Sequence, residues 1–293
     1  MPVTPTRDRF GVGAYPEWLP SVTEVPAAEL RRTDFDIALL QRPEEIDLLY
    51  RWTGRRPGMD VPTIYLEHDA PSGAVPNTPH MVAERADIPL VHVTHFNALM
   101  WDNGMAPTRV IELGVPDPGY RYSGVLERSA VVVNEAARRG RFTGTDLIPR
   151  FAQHVPIDLF GIDSAKVPEQ LGLELGTYDL KLPALFDAIP TRRLYLHLNR
   201  WTSAGMSLIE AMHLGMPVVA LATTAVADAV GTGTGFCSND LDVLTAGIRE
   251  LLADPGLAAD MGRRARQRAL DRFSLHRLIA DWERAFDEVA RPG

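Results

Sequence analysis

Residues 199–224 read NRWTSAGMSLIEAMHLGMPVVALATT, and this stretch decides the fold class. After a polar opening, apolar residues recur at the three- and four-residue spacing of one helix face. That face comprises Met206, Ile209, Met212 and His213. Gly215 is placed to follow the last turn, and Pro217 prevents the helix from continuing. The apolar run 218–222 then predicts a strand that is covered on both faces.

The start of this predicted helix is a candidate ligand site. The first N–H groups of a helix have no partner within it, and the positive end of the helix dipole attracts anions. Ser203 and Gly205 precede the helix, and Ser207 lies in its first turn, where it could also act as a helix cap. Glu210 places a carboxylate one turn further on an otherwise apolar segment. The stretch therefore predicts a pocket for a phosphorylated ligand.

The composition of the 293-residue chain is that of a globular protein large enough for two domains. Its net charge of −8 argues against a nucleic-acid partner, because no basic field exists to bind phosphates. The single cysteine, Cys237, excludes an intrachain disulfide and favours a cytoplasmic location. No run of about 18 apolar residues predicts a transmembrane segment.

Strand-like and helix-like segments alternate along the chain, which predicts parallel sheets with right-handed crossovers. Short apolar runs predict strands at 36–40, 61–66, 90–94, 109–115, 130–133, 157–161, 194–197 and 218–222, with an edge strand at 234–237. A linker rich in proline and glycine interrupts the alternation at 117–124. We therefore expect an N-terminal α/β domain over 1–122, a C-terminal α/β domain over 123–274 and a terminal helix over 275–293.

Polar side chains follow the predicted strands in both halves. Glu67 and His68 follow one strand of the first half, and His95 and Asn97 follow the next. In the second half the corresponding positions carry Arg138, Arg139, Arg141, His197 and Arg200. Ligands of parallel α/β sheets bind outside the carboxyl ends of the strands. The two halves therefore predict a cleft between domains, lined by these residues.

Residues 202–220, TSAGMSLIEAMHLGMPVVA, resemble the nucleotide-sugar motif of GT-B glycosyltransferases of the retaining family-4 type, E-G-F-G-x-x-x-x-E-A-M-A-x-G-x-P-V-V-A. The resemblance implies two facing Rossmann-like domains, with a terminal helix that crosses back to the first. It is strong after Arg192 and weak before Val110. Residues 1–33 look like the tail end of a strand–helix unit, so the N-terminal domain is expected to be abbreviated.

The resemblance also implies roles for individual residues. Glu210 matches the glutamate that binds the donor ribose, and His68 matches the histidine whose carbonyl lies near the reacting carbon. Thr202 stands where the family has a sugar-contacting glutamate. The remaining donor-binding candidates are Ser203, Gly205, Met206, Ser207, Arg139, His197 and Arg200. Arg138 and Arg141 are the catalytic candidates for the diphosphate, because the lysine of the family is absent. Glu67, His95 and Asn97 are the acceptor-binding candidates.

Several of these residues could instead have structural or solvent-exposed roles. Glu210 could be an exposed helix glutamate, and the three arginines could form a solvated charged surface. His68 could be a buried structural histidine or a metal ligand, while His95 and Asn97 could satisfy the backbone of their own loop. His213 is expected to pack in the core.

The expected function is transfer of a sugar, with retention, from a UDP- or GDP-linked donor to a small-molecule or glycan acceptor. Neither a metal ion nor a cofactor is expected. The alternatives are a binding or partner protein of this fold without turnover, and a transferase or epimerase that acts on a nucleotide sugar by another route. The composition is compatible with a bacterium of high GC content, and the oligomeric state is left open.

Overall fold

The computed structural model describes residues 3–4, 23 and 25–290 of the chain. Most of residues 1–33, where the sequence indicates an abbreviated first unit, lie outside the described residues. Two short strands near the N-terminus, β1 (Val3–Thr4) and β2 (Val25–Pro26), pair in parallel.

The first of two larger sheets has four parallel strands in the order β3-β4-β5-β6. Its strands and helices are β3 (Ala38–Leu40), α1 (Glu45–Thr53), β4 (Thr63–Glu67), β5 (Leu90–His92), α2 (His95–Met100) and β6 (Thr108–Val110). Gly54 ends α1 at φ 74°, and the Thr94 hydroxyl begins α2 by accepting the Asn97 N–H at 3.0 Å. The sequence did not predict α2. It predicted a strand over 109–115, whereas β6 ends at Val110.

The second sheet has six parallel strands in the order β12-β11-β10-β7-β8-β9. Its strands are β7 (Leu126–Val132), β8 (Ile157–Phe160), β9 (Gly176–Tyr178), β10 (Arg192–His197), β11 (Val218–Leu221) and β12 (Gly235–Ser238). The helices around it are α3 (Ala136–Arg139), α4 (Ile148–Ala152), α5 (Val167–Leu171), α6 (Leu182–Ala188), α7 (Met206–Leu214), α8 (Val226–Val230), α9 (Leu241–Ala253) and α10 (Pro255–Arg272). The predicted α/β architecture is confirmed, including β12 as an edge strand, whereas β9, α3, α5 and α8 were not predicted.

Helix α7 and the strands beside it form the centre of the larger core. Gly215 ends α7 at φ 87°, as predicted, and β10 and β11 are buried along their whole length. The predicted helix face is wrong in one respect, since Met206 is exposed. The buried residues of α7 surround its axis instead of forming one stripe: Leu208, Ile209, Ala211, Met212, His213 and Leu214. His213 is core, as expected, with Nε2 3.3 Å from the Phe273 carbonyl.

The last helix, α11 (Leu275–Ala290), returns to the first sheet, as the fold class required. Its apolar side packs against Ile64, Leu66, Val91, Val93 and Ile111 through Leu278, Trp282, Phe286 and Val289. The chain thus crosses between the sheets twice, and the crossings touch where the Val115 N–H donates to the Phe273 carbonyl at 3.0 Å. The exact domain limits at 122 and 274 stay predictions.

Candidate functional site

The loop between β10 and α7 contacts the first sheet at the carboxyl ends of its strands. Asn97 Nδ2 lies 3.0 Å from Ser203 Oγ, and Ser203 Oγ donates to the His68 carbonyl. Trp201 Nε1 donates to the Pro71 carbonyl at 2.8 Å. The structure therefore brings Asn97, His68 and the 199–205 loop together from opposite sheets.

The segment that follows β4 is held from several sides. Glu67 accepts the Asp69 N–H at 2.7 Å, and its second oxygen lies 3.1 Å from His80 Nε2. Burial raises the pKa of Glu67, but these two hydrogen bonds, together with the charges of His80 and His92, outweigh burial and leave the pKa lowered overall. Trp101 Nε1 donates to the Asp69 carbonyl at 2.9 Å. Each carboxylate oxygen of Glu67 thus already has one protein partner, and its role in acceptor binding stays a prediction.

His68 itself is exposed, so the hypothesis of a buried structural histidine is wrong. Its Nε2 lies 2.7 Å from Gln41 Oε1, and its backbone carbonyl faces the opposite sheet. His95 is also exposed at the start of α2, whereas Asn97 on the same helix is fully buried. Asn97 therefore lies at the seam between the sheets.

Glu210 lies one turn into α7 and is half-buried, and its carboxylate makes no hydrogen bond or ion pair to any of the residues that the structure describes. Burial raises the pKa of its carboxyl group. Ser207 does not cap the helix, because its hydroxyl donates to the Val132 carbonyl at 3.3 Å and accepts from Tyr195 Oη at 3.0 Å. Gly205 precedes the helix at φ 86°, a conformation that favours glycine.

The arginines near the ends of β7 and β10 differ in how they are paired. Glu135 binds Arg138 through both carboxylate oxygens, at 2.9 and 2.5 Å. Asp146 binds Arg200 in the same way, at 2.5 and 3.0 Å. Arg141 Nη1 lies 3.4 Å from Asp146 Oδ2. Arg139 makes no ion pair within the described part of the chain and lies over the Phe142 ring instead.

Buried polar atoms without a hydrogen-bond partner concentrate around the 199–205 loop. Four of the eight such atoms in the described part of the chain lie there: Asn97 Oδ1, His197 Nε2, Asn199 Oδ1 and Thr202 Oγ1. Burial lowers the pKa of His197 to about 4, so the ring is neutral near pH 7. Sequence reasoning placed Asn199 in the polar stretch between the strand and the helix but gave it no individual role.

No group of three or more histidine, cysteine, aspartate or glutamate side chains among residues 3–4, 23 and 25–290 is arranged to hold a metal ion. The sequence contains two Asp-x-Asp tripeptides, at 34–36 and 240–242. In the second, Asp240 caps α9 by accepting the Asp242 N–H at 2.9 Å. Independence from metal stays a prediction. None of the helices that the structure describes is long and apolar enough to cross a membrane.

Two facing parallel α/β sheets, joined by a helix that crosses back, define the GT-B glycosyltransferase fold. Residues 162–268 match the family described as Glycosyl transferases group 1, which places the motif of α7 inside the matched region. No curated protein sequence matches the chain.

Solved glycosyltransferase structures share this fold at low sequence identity. A mutant of Staphylococcus aureus TarM, solved in a complex that includes UDP, is 14% identical to this chain with a TM-score of 0.67. The alignment covers 85% of this chain and 55% of TarM. Anabaena HepE in complex with UDP-glucose is 17% identical to this chain with a TM-score of 0.66, and the alignment covers 89% of this chain and 82% of HepE. Sucrose-phosphate synthase of Thermosynechococcus elongatus is 15% identical to this chain with a TM-score of 0.64, and the alignment covers 87% of this chain and 73% of the synthase. The chain thus spans about half the length of TarM.

Proposed function

We propose that this protein is a retaining glycosyltransferase that takes a UDP- or GDP-linked sugar and transfers the sugar to a small-molecule or glycan acceptor. Glu210 carries this proposal. It is a half-buried carboxylate without a described partner, in the first turns of a helix whose sequence matches the glycosyltransferase motif. Burying such a group is costly unless a ligand supplies hydrogen bonds. The two hydroxyls of a ribose supply two of them.

The diphosphate would lie at the N-terminus of α7, where the first N–H groups, those of Met206 and Ser207, have no acceptor within the helix. Arg139 is the one proposed cation without an acidic partner in the described part of the chain, and its fork suits a phosphate. Arg138, Arg141 and Arg200 would first have to exchange their carboxylate partners for the ligand. The main diphosphate contact is therefore assigned to Arg139 instead of Arg138 and Arg141.

In the reaction, the bond between the anomeric carbon and the diphosphate oxygen breaks, and the electron pair leaves with that oxygen. Cationic side chains and the start of α7 stabilise the charge that develops there. An acceptor hydroxyl attacks from the same face and gives its proton to the departing oxygen. The His68 carbonyl lies across the seam from α7, where it would stabilise positive charge on the sugar. No cofactor takes part, and the proposed location is the cytoplasm.

The test is release of UDP or GDP from a panel of nucleotide sugars, with water or common sugars as acceptors. We expect release from at least one donor and loss of release in Glu210→Ala. If a nucleotide sugar binds and no nucleotide is released with any acceptor, the transferase proposal fails.

A second candidate is a binding protein of this fold without turnover. Two observations favour it. Thr202 stands where the family has a sugar-contacting glutamate, and the Ser203 hydroxyl donates a hydrogen bond to the His68 carbonyl. Binding without release in the same panel is the outcome that supports it.

A further inference from the structure

The peptide group that joins His68 to Asp69, just after β4, is held at both of its polar ends. Its N–H, which belongs to Asp69, donates to Glu67 Oε1 at 2.7 Å. Its carbonyl, which belongs to His68, accepts from Ser203 Oγ and, at 3.3 Å, from Asn97 Nδ2. The peptide is trans, so its C=O and N–H lie in one plane and point in opposite directions. A group that fixes the N–H therefore also aims the carbonyl.

The carboxylate of Glu67 is fixed in turn by His80. Its second oxygen, Oε2, lies 3.1 Å from His80 Nε2. The Val82 N–H points at His80 Nδ1 over 3.2 Å, and a backbone N–H can only donate. Nδ1 must therefore be without a proton. The proton of the imidazole is on Nε2, where it is donated to Glu67.

A carboxylate at position 67 satisfies both partners, and an amide does not. The Asp69 N–H and the His80 Nε2–H both donate, so the side chain between them must present two acceptors. A glutamine of the same shape offers one oxygen and one NH2 group, and the NH2 group would face a donor. The negative charge of Glu67 is therefore required by its neighbours in the protein.

The packing around His80 keeps its ring turned towards Glu67. The His80 side chain is 1% exposed. The rings of Tyr65 and Trp101 meet it edge to face, each with its centroid 5.0 Å from the imidazole centroid. Trp101 Nε1 also donates to the Asp69 carbonyl at 2.9 Å, so the same cluster holds the next peptide group. The direction of the His68 carbonyl is thus set by a buried network that reaches away from the seam between the sheets.

We propose that Glu67 and His80 are positioning residues that aim the His68 carbonyl at the sugar of the donor. His80 orients the carboxylate, the carboxylate holds the Asp69 N–H, and the rigid peptide plane turns the carbonyl towards the opposite sheet. Neither side chain touches a substrate, so this role replaces the acceptor-binding role expected for Glu67 from the sequence. The inference rests on the proposed function, in which the carbonyl stabilises positive charge on the sugar.

Glu67→Gln and His80→Phe test the two contacts separately. Glu67→Gln keeps the shape of the side chain and loses one acceptor, whereas His80→Phe keeps an aromatic ring in the cluster and loses the proton donor. His92→Phe is the matched control. His92 is also fully buried, and its ring centroid lies 6.1 Å from that of His80. Its Nε2 lies 2.8 Å from Asn103 Oδ1, so its hydrogen bond does not involve Glu67.

Two NMR measurements on the ligand-free protein do not depend on turnover. The nitrogen shifts of the His80 ring report which nitrogen carries the proton, and we expect Nε2. Amide exchange of Asp69 should be about 2- to 10-fold faster in Glu67→Gln and His80→Phe than in wild type and His92→Phe, as loss of one hydrogen bond allows. A proton on Nδ1, or equal Asp69 exchange in all four proteins, overturns the inference.

The kinetic measurement uses a donor that releases its nucleotide. We expect kcat to fall about 10- to 100-fold in Glu67→Gln and in His80→Phe, because a small misplacement of a group at the reacting centre costs that much. The KM values for donor and acceptor should change less than about twofold, as for an interaction made in the transition state alone. The double variant should be no slower than the slower single variant, since both residues act through one carboxylate. His92→Phe should keep the wild-type kcat.

An unchanged kcat in the two variants, or an equal fall in His92→Phe, overturns the inference. A raised acceptor KM with unchanged kcat in Glu67→Gln would instead show that Glu67 binds the acceptor. If wild type releases no nucleotide from any donor, the transferase proposal fails. The His80 proton and the Asp69 exchange still decide in that case whether the pair holds the peptide.

Discussion

At the residue scale, ligand binding depends on which charged side chains already have partners. Arg139 has no acidic partner among the described residues, whereas both carboxylate oxygens of Glu135 engage Arg138. A ligand phosphate can bind the unpaired guanidinium of Arg139 directly, but at Arg138 it must first displace the Glu135 carboxylate. Sequence reasoning preferred Arg138 and Arg141 as the catalytic residues and gave Arg139 a donor-binding role. It could not foresee which arginine is unpaired, because pairing depends on where Glu135 and Asp146 lie.

Arg139→Ala is accordingly expected to weaken UDP or GDP binding about 10-fold, as loss of a charge-assisted hydrogen bond does. Arg138→Ala, the matched control on the same helix, should weaken it less than about threefold. Calorimetric titration of the free nucleotide compares the two variants. A larger loss in Arg138→Ala would show that the ligand breaks the pair with Glu135.

Burial of Glu210 gives a pH-dependent prediction. Because the folded pKa is raised, the folded protein holds a proton at a pH where the unfolded chain has lost it. The stability that the neutral form provides is complete below the ordinary glutamate pKa and is lost as the pH rises through the folded pKa. Without ligand, Glu210→Gln should therefore melt higher than wild type at pH 8, and the difference should shrink towards pH 4.5.

Glu283→Gln on the exposed side of α11 is the control and should leave the melting temperature unchanged at both pH values. Equal melting of Glu210→Gln and wild type at pH 8 would mean that Glu210 is well solvated.

At the element scale, α7 was predicted almost completely and its surroundings were not. Gly215 and Pro217 mark the end of the helix in the sequence alone. The contacts of the preceding loop come from α2 and from the segment after β4, 106 to 135 positions earlier in the chain, and no local pattern predicts them. The start of α2 was missed because the cap, Thr94, directly follows a buried strand and resembles its continuation.

The contact between the 199–205 loop and the first sheet makes a prediction about Ser203. Its hydroxyl must leave the His68 carbonyl before a sugar reaches that atom. Ser203→Ala removes two hydrogen bonds from the ligand-free state, one to the His68 carbonyl and one from Asn97 Nδ2, each worth about 0.5–1.5 kcal/mol. A neutral nucleotide sugar should then bind a few-fold tighter and associate faster in stopped-flow measurements. Weaker binding of the sugar nucleotide with unchanged UDP or GDP binding would show that Ser203 contacts the sugar.

At the scale of the whole molecule, the terminal helix links the two halves. The resemblance predicted that α11 returns to the first sheet, and its apolar stripe is visible in the sequence. The partners of that stripe could not be predicted, because the strands they belong to lie 165 or more positions earlier. Arg272 strengthens the link by binding both Glu112 and Asp228.

Phe286 tests this link, since it packs on the first sheet from the last helix. Because Phe286 is only partly buried, Phe286→Ala should lower the free energy of unfolding by about 2 kcal/mol, less than a fully buried phenylalanine would cost. Glu283→Ala, on the exposed side of the same helix, should change it by less than about 0.5 kcal/mol. Urea unfolding measures both. Equal stability of the two variants would contradict the packing of α11 on the first sheet.

The central claim is that Glu210 binds the ribose of a nucleotide at the start of α7. Calorimetric titration of wild type and Glu210→Ala with UDP and GDP tests it most directly, with Glu283→Ala as the control. We expect one of the nucleotides to bind wild type and the control equally well. Glu210→Ala should bind that nucleotide about 10- to 150-fold more weakly, the loss of one charge-assisted contact. Unchanged affinity in Glu210→Ala, or no binding of either nucleotide to wild type, would contradict the claim.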